Sequence, residues 1–237
     1  MIQIKDLHKQ FGKNKVLKGV DLEINEPGVF AVLGPNGSGK TTMIKCILGM
    51  VIPKSGEIKV KDTSIRKNWK YRQLIDYLPQ IANFPANLRV DELFKMIKDL
   101  RNKPDLDETP FIKRFGLEPY LNKRLSNLSG GTKQKVNLVL TFLFDSPIII
   151  LDEPTTGLDP AALIILKEMI QKEKEKGKIV LVTSHIMNFV EEIADEIVFL
   201  LEGKIYFKGT ADALKEKTKQ PDFEHAIAHL LTSPEYA

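Results

Sequence analysis

With 237 residues, 43% of them hydrophobic, the chain has the apolar content for a buried core, arranged as one domain with lobes or as two small ones. Its 35 basic and 31 acidic residues leave a formal charge of only +4, which argues for neither a nucleic-acid groove nor a strongly anionic partner. The single cysteine, Cys46, excludes an intrachain disulfide and fits a reducing compartment, and no apolar run approaches the ~20 residues needed to span a bilayer.

The opening residues, Met1-Ile2-Gln3-Ile4-Lys5-Asp6, carry charge at once and lack the apolar core of a secretion signal, so the expected location is the cytoplasm. Residues 2–30 show short alternating runs broken by Gly12, Gly19 and Pro27-Gly28, a pattern of antiparallel strands and turns. Residues 29–33 are continuously apolar, as in a strand buried on both faces, and a helix is expected over 41–50. Strands follow over 55–60 and 75–80. The character then changes: 88–100 and 109–121 have helical periodicity punctuated by Pro104, Pro110 and Pro119, and a further helix is expected from Ser129 to Phe144. Core strands return at 148–151, 179–183 and 197–201, separated by helices over 160–176 and 187–194, and 211–231 reads as helix with a break near Pro221. This alternation predicts an α/β fold: a mostly parallel sheet with helices on its faces, preceded by an antiparallel β region and interrupted by a helical insertion. The expected organisation is one domain over 1–237, with its core in 1–80 and 147–211, a helical lobe over 81–146 and a helical tail over 212–237.

Gly34-Pro35-Asn36-Gly37-Ser38-Gly39-Lys40-Thr41 matches G-x-x-x-x-G-K-[ST] between a strand and a helix. Gly34, Gly37 and Gly39 let backbone N–H groups approach phosphate oxygens in conformations closed to other residues. The positive end of the following helix favours polyphosphate, Lys40 would reach the β- and γ-phosphates, and Thr41, followed by Thr42, would offer its hydroxyl to Mg²⁺. A glycine-rich turn with an exposed lysine is the plainer reading, and the flanking strand and helix weigh against it. Asp152 and Glu153 close an apolar strand, placing both carboxylates at the sheet's carboxyl edge, where open α/β folds bind ligands. Adjacent strand residues point to opposite faces, which suggests separate roles; an Asp-Glu pair before Pro154 also suits a plain turn. His185 follows another apolar strand toward the same edge. Ser129-Gly130-Gly131 begins a helix whose free N–H groups suit an anion, as they would suit an ordinary cap. Asp159-Pro160 is a good helix start.

Taken in order, the phosphate loop, Leu128-Ser129-Gly130-Gly131 and Ile148-Ile149-Ile150-Leu151-Asp152-Glu153 resemble the ATP-binding-cassette (ABC) ATPases, a P-loop NTPase family, over about residues 2–209. The resemblance implies ATP and Mg²⁺ as cofactors, with Thr41, Gln80 and Asp152 at the metal. It implies Glu153 as general base for the attacking water, and His185 at the γ-phosphate. Phe11 takes the place of the aromatic residue that stacks on adenine, although a core or exposed phenylalanine is the alternative, and Val16 covers the ribose side. Ser129, Gly130, Gly131 and Asp159 would serve the ATP of an opposing cassette, so a second copy is expected as partner, with Thr132 where the family usually has glutamine. Because the chain carries one copy of each motif and no span, the further expected partner is a separate membrane permease, which would hold the ATPase at the cytoplasmic face of the membrane. A soluble mechanical ATPase acting on ribosomes or DNA is the rival reading; the segment between Gln80 and Ser129 is too short and proline-rich for the long coiled coil of DNA-repair members. Within transporters, residues 77–85 and 130–137 are similar to the ATPases that serve assembly of the copper site of nitrous-oxide reductase, so export or metal-site maturation is the expected use.

Overall fold

The computed structural model describes residues 1–232, so the last five positions of the expected tail lie outside the described residues. β1 (Ile2–Phe11) and β2 (Asn14–Ile24) pair antiparallel, with Phe11 opposite Asn14 at the hairpin tip. β3 (Gly28–Leu33) leads through the phosphate loop into α1 (Lys40–Ile47). β4 (Ser55–Val60) pairs with the free edge of β1, and the two-residue β5 (Thr63–Ser64) completes a four-stranded antiparallel sheet in the order β2-β1-β4-β5. β6 (Ile75–Leu78), β7 (Ile148–Asp152), β8 (Ile179–Thr183), β9 (Glu196–Leu201) and β10 (Lys204–Gly209) join β3 in a second sheet, ordered β10-β9-β3-β8-β7-β6. Every neighbouring pair in this sheet is parallel except β9 with β10.

The period-2 alternation of strands divides the apolar residues of the parallel sheet between two cores. Phe30 and Val32, Ile148 and Ile150, and Ile179 and Leu181 pack toward α1 and the antiparallel sheet. Val29, Ala31 and Leu33, Ile149 and Leu151, and Val180 and Val182 pack toward the helices. With both faces covered, these strands need no polar side, which is why they read as unbroken apolar runs. The helical core is continuous from α2 (Val90–Leu100), α3 (Thr109–Phe115) and α4 (Gly130–Phe142) to α5 (Pro160–Glu175), α6 (Met187–Ile193), α7 (Ala211–Thr218) and α8 (Phe223–Thr232). No helix among the described residues is long and apolar enough to cross a membrane.

Several bounds differ from expectation. α3 stops at Phe115 instead of reaching 121, because Gly116 takes a left-handed conformation (φ 62°) and Pro119 follows. α4 begins at Gly130, with Ser129 outside it as the cap, and α1 ends at Ile47 before a left-handed Gly49. β10, absent from the sequence reading, is the return strand of a hairpin whose turn residues Glu202 and Gly203 both have positive φ, 45° and 81°. The helical lobe is tied to the sheet at buried Asp76 of β6, whose carboxylate accepts from Arg101 Nη1 at 2.8 Å and from the Ser146 N–H at 3.0 Å. Burial is the main influence on Asp76 and raises its pKa, opposed by the Arg101 guanidinium.

Candidate functional site

β3, β8 and β7 are adjacent and parallel, so their carboxyl ends open side by side. The phosphate loop leaves β3, Asp152 ends β7, and His185 follows β8 by two residues. Ligand sites of open α/β sheets form at this edge. The loop is locked from behind: a Cβ at Gly34 (φ 146°) would lie 1.9 Å from the Leu200 carbonyl oxygen. A Cβ at Gly39 (φ 110°) would lie 2.8 Å from a Leu17 methyl and 3.1 Å from the Val16 carbonyl. β9, β2 and the loop therefore meet at backbone distance, and Val16 is placed directly against the loop. The Lys40 ammonium donates to the carbonyls of Gly34 (2.8 Å) and Pro35 (3.1 Å), curling back along the loop it follows. Burial lowers the Lys40 pKa, and the charges of Glu153 and Asp152 oppose that shift.

The carboxylates are held differently from one another. Asp152 is 2% exposed; its Oδ1 accepts from the Thr183 hydroxyl at 2.7 Å, while Oδ2 is buried with no hydrogen-bond partner among the described residues. Glu153 corrects the sequence reading, for it is not a strand residue. β7 stops at Asp152 and Glu153 turns into the left-handed region (φ 54°), so the separation of the two carboxylates comes from this turn and not from strand alternation. Its N–H donates to Thr183 Oγ1 at 2.9 Å and to the Thr183 carbonyl at 3.2 Å, and its Oε1 lies 2.9 Å from His185 Nε2. Burial is the main cause that raises the Glu153 pKa, with the His185 and Lys40 charges opposing it. Two buried oxygens without partners, Asp152 Oδ2 and Ser38 Oγ, belong to this edge. Together with the Thr41 hydroxyl beside Lys40, they provide the all-oxygen donor chemistry that a hard cation such as Mg²⁺ takes.

A second cluster lies at the starts of α4 and α5. Ser129 caps α4, its Oγ accepting from the Thr132 N–H at 3.2 Å and sharing a 2.8 Å hydrogen bond with the Thr132 hydroxyl. Asp159 caps α5 through the Ala162 N–H at 2.8 Å and pairs with Lys135 Nζ at 2.6 Å. Gln134, buried, donates to the Pro154 carbonyl at 3.1 Å. Gly131 packs so tightly on residue 157 that a Cβ would lie 2.5 Å from the Gly157 carbonyl oxygen. Ser129, Gly130 and Asp159 are exposed. Phe11 is half exposed at the β1–β2 tip, with Lys9 Nζ 4.6 Å from its ring centre, and Gln80 is exposed two residues beyond β6. Among the described residues no hydrogen bond or ion pair joins this second cluster to the phosphate loop. Sequence reasoning missed Thr183, which bonds the Glu153 N–H and the Asp152 carboxylate, and Gln134, which bonds the Pro154 carbonyl; the strand-end hydroxyl in Thr183-Ser184-His185 was the available signal.

Residues 17–156 match the ABC transporter family. The L-cystine import ATP-binding protein TcyN of Bacillus subtilis (strain 168) is 30% identical over 100% of this chain and 95% of its own length. A solved ATP-binding subunit of an ABC transporter superposes with a TM-score of 0.89 at 29% identity, covering 98% of this chain and 100% of that one. The post-hydrolysis dimer of the cassette MJ0796, bound to ADP and phosphate, superposes with a TM-score of 0.78 at 25% identity, covering 89% and 98%. The carboxyl-edge phosphate loop and its facing carboxylates thus sit in a fold shared along its whole length, and the chain belongs to the ABC transporter family as an ATP-binding cassette that hydrolyses ATP.

Proposed function

We propose that two copies of this chain close on two ATP molecules and that the motion drives a separate membrane-spanning permease at the cytoplasmic face of the membrane. The observation that carries this reading is the division of the site into two groups of side chains, with no hydrogen bond or ion pair between them among the described residues, one holding Lys40, Asp152, Glu153 and His185 and the other exposing Ser129, Gly130 and Asp159. A second copy completes each site when its Ser129–Gly131 helix start meets the γ-phosphate held by the phosphate loop, since helix N-termini favour anions. ATP must then compete for Lys40, whose ammonium is within hydrogen-bond reach of loop carbonyls and can exchange them for β- and γ-phosphate oxygens. Phe11 stacks on the adenine and Val16 lies beside the ribose. Glu153, held by His185 and raised in pKa by burial, takes a proton from the attacking water, and His185 faces the γ-phosphate. Thr41, Gln80 and Asp152 would hold Mg²⁺, which supplies charge neutralisation across the β- and γ-phosphates.

Coupling to the membrane fits the groove between β6 and the helical lobe, a cavity of about 120 Å³ lined by Tyr77, Ala82, Phe84, Ile97, Leu140 and Phe144. It lies just beyond Gln80, so a permease's cytoplasmic helix docked there would sense the site through that residue. Residues 77–85 and 130–137 support export or metal-site maturation as the use of the motion. The test is to tag Glu153→Gln, capture it from detergent-solubilised native membranes with Mg-ATP, and identify its companions by mass spectrometry. Recovery of a stoichiometric multi-span protein is expected, and the accessory proteins with it report the cargo. Ribosomal or DNA-repair proteins without a membrane subunit would overturn the reading.

A further inference from the structure

We infer that Thr183 is the positioning residue that sets both carboxylates of the ATPase site, through a single buried hydroxyl; this rests on the reading of Asp152 and Glu153 given above. Thr183 is the last residue of β8 and the register partner of Asp152 across the β7–β8 pair. It is fully buried, so no solvent molecule can take the place of its hydroxyl from outside.

The direction of its hydrogen bonds is fixed by chemistry. An ionised carboxylate has no proton to give, so the Thr183 hydroxyl donates its one proton to Asp152 Oδ1 at 2.7 Å. Its oxygen is then free to accept the Glu153 N–H at 2.9 Å. The chain runs from the Glu153 backbone through Thr183 to the Asp152 carboxylate, and bonds in such a chain polarise one another. Two consequences follow. Oδ1 of Asp152 is committed, so Oδ2, buried and without a partner, is the oxygen left to face a cation. Glu153, a residue other than glycine at φ 54°, is held in a strained conformation that persists only where its surroundings enforce it. The Thr183 hydroxyl and carbonyl, which share its N–H, supply that enforcement. Two residues further along the chain, His185 holds the other end of the same glutamate at Oε1.

A valine at 183 keeps the β-branched shape of the side chain and removes only the hydrogen-bonding oxygen. Serine keeps the oxygen and removes the methyl group. The measurement is Mn²⁺ affinity of the protein–AMP-PNP complex by electron paramagnetic resonance, alongside AMP-PNP affinity in EDTA. Thr183→Val should weaken Mn²⁺ by about 10–100-fold, the usual cost of losing a residue that orients a metal ligand. Thr183→Ser should stay within about threefold of the parent, and AMP-PNP affinity without metal should be unchanged in both. Asp152→Asn is the control for the underlying reading: if it leaves Mn²⁺ affinity unchanged, the assignment of Asp152 fails. If Asp152→Asn weakens Mn²⁺ and Thr183→Val does not, the role of Thr183 fails. Equal losses for Ser and Val would assign the effect to methyl packing and also overturn the proposal. Should the valine variant not accumulate folded, Thr183→Cys, which like serine lacks the γ-methyl and whose thiol is a weaker donor than a hydroxyl, must fall between Ser and the Asp152 control, and parent-like affinity for it overturns the proposal.

Discussion

Gly131→Ala is the sharpest perturbation of the second cluster. The added Cβ would stand 2.5 Å from the Gly157 carbonyl oxygen, against the roughly 3.3 Å of a close carbon–oxygen contact, so α4 and the turn must separate by about 0.8 Å. Both partners are backbone, and neither can swing aside as a flexible side chain would. The same displacement would stretch the buried Gln134–Pro154 hydrogen bond from 3.1 Å to about 3.9 Å, beyond bonding distance. It would also strain the 2.6 Å pair of Lys135 with Asp159. A shift near 1 Å of a group that positions substrate costs on the order of 100-fold in rate. The phosphate loop is untouched, so fluorescent-nucleotide binding by the isolated variant should match the parent while its ATPase kcat falls about 100-fold. Parent-like turnover would show that the separation does not reach the site, and loss of nucleotide binding would show that the two clusters are not independent; either refutes the reasoning.

Lys40→Ala should weaken ATP binding itself, because Lys40 is the cation whose ammonium lies within reach of the loop; unchanged affinity in a calorimetric titration would defeat the phosphate-loop assignment. Arg101→Met leaves the Asp76 carboxylate buried with Ser146 but without its cation, and should cost about 2–3 kcal/mol, at the low end for a broken buried pair because Arg101 is partly exposed. Differential scanning calorimetry should show the thermal midpoint lowered by about 5–10 °C, and an unchanged midpoint would remove the pair as the tie between lobe and sheet. Burial pushes the Cys46 thiol up to about 11 from an ordinary 9.0, so at pH 8 only about one thiol in a thousand is ionised. Iodoacetamide should leave native protein unmodified under conditions that alkylate it in urea, and rapid native alkylation would contradict the burial.

Much of this was legible because the informative features are local in sequence. The phosphate loop announces itself by spacing, and the strand stretches 29–33, 148–151 and 179–182 are continuous apolar runs for the reason the structure supplies, burial on both faces. What escaped depends on partners distant along the chain. Thr183 reads as one more β-branched strand residue until pairing places it against Asp152, 31 positions away. Gly131 reads as part of a helix start until Gly157 lies against it. The turn at Glu153 hides behind a strand pattern, since left-handed glutamate has no sequence signature. β10 was within reach: Glu202-Gly203 between two apolar runs is a two-residue hairpin signal.

The most direct measurement of the central claim is the mass in solution of Glu153→Gln, by light scattering after size exclusion, with and without Mg-ATP. The account predicts the 26.8 kDa chain as monomer without nucleotide and a doubling of mass with it, reversed by a Ser129→Arg change that blocks the opposing helix start. A mass that stays at one chain under saturating Mg-ATP, with nucleotide demonstrably bound, would contradict the closing of two copies on ATP.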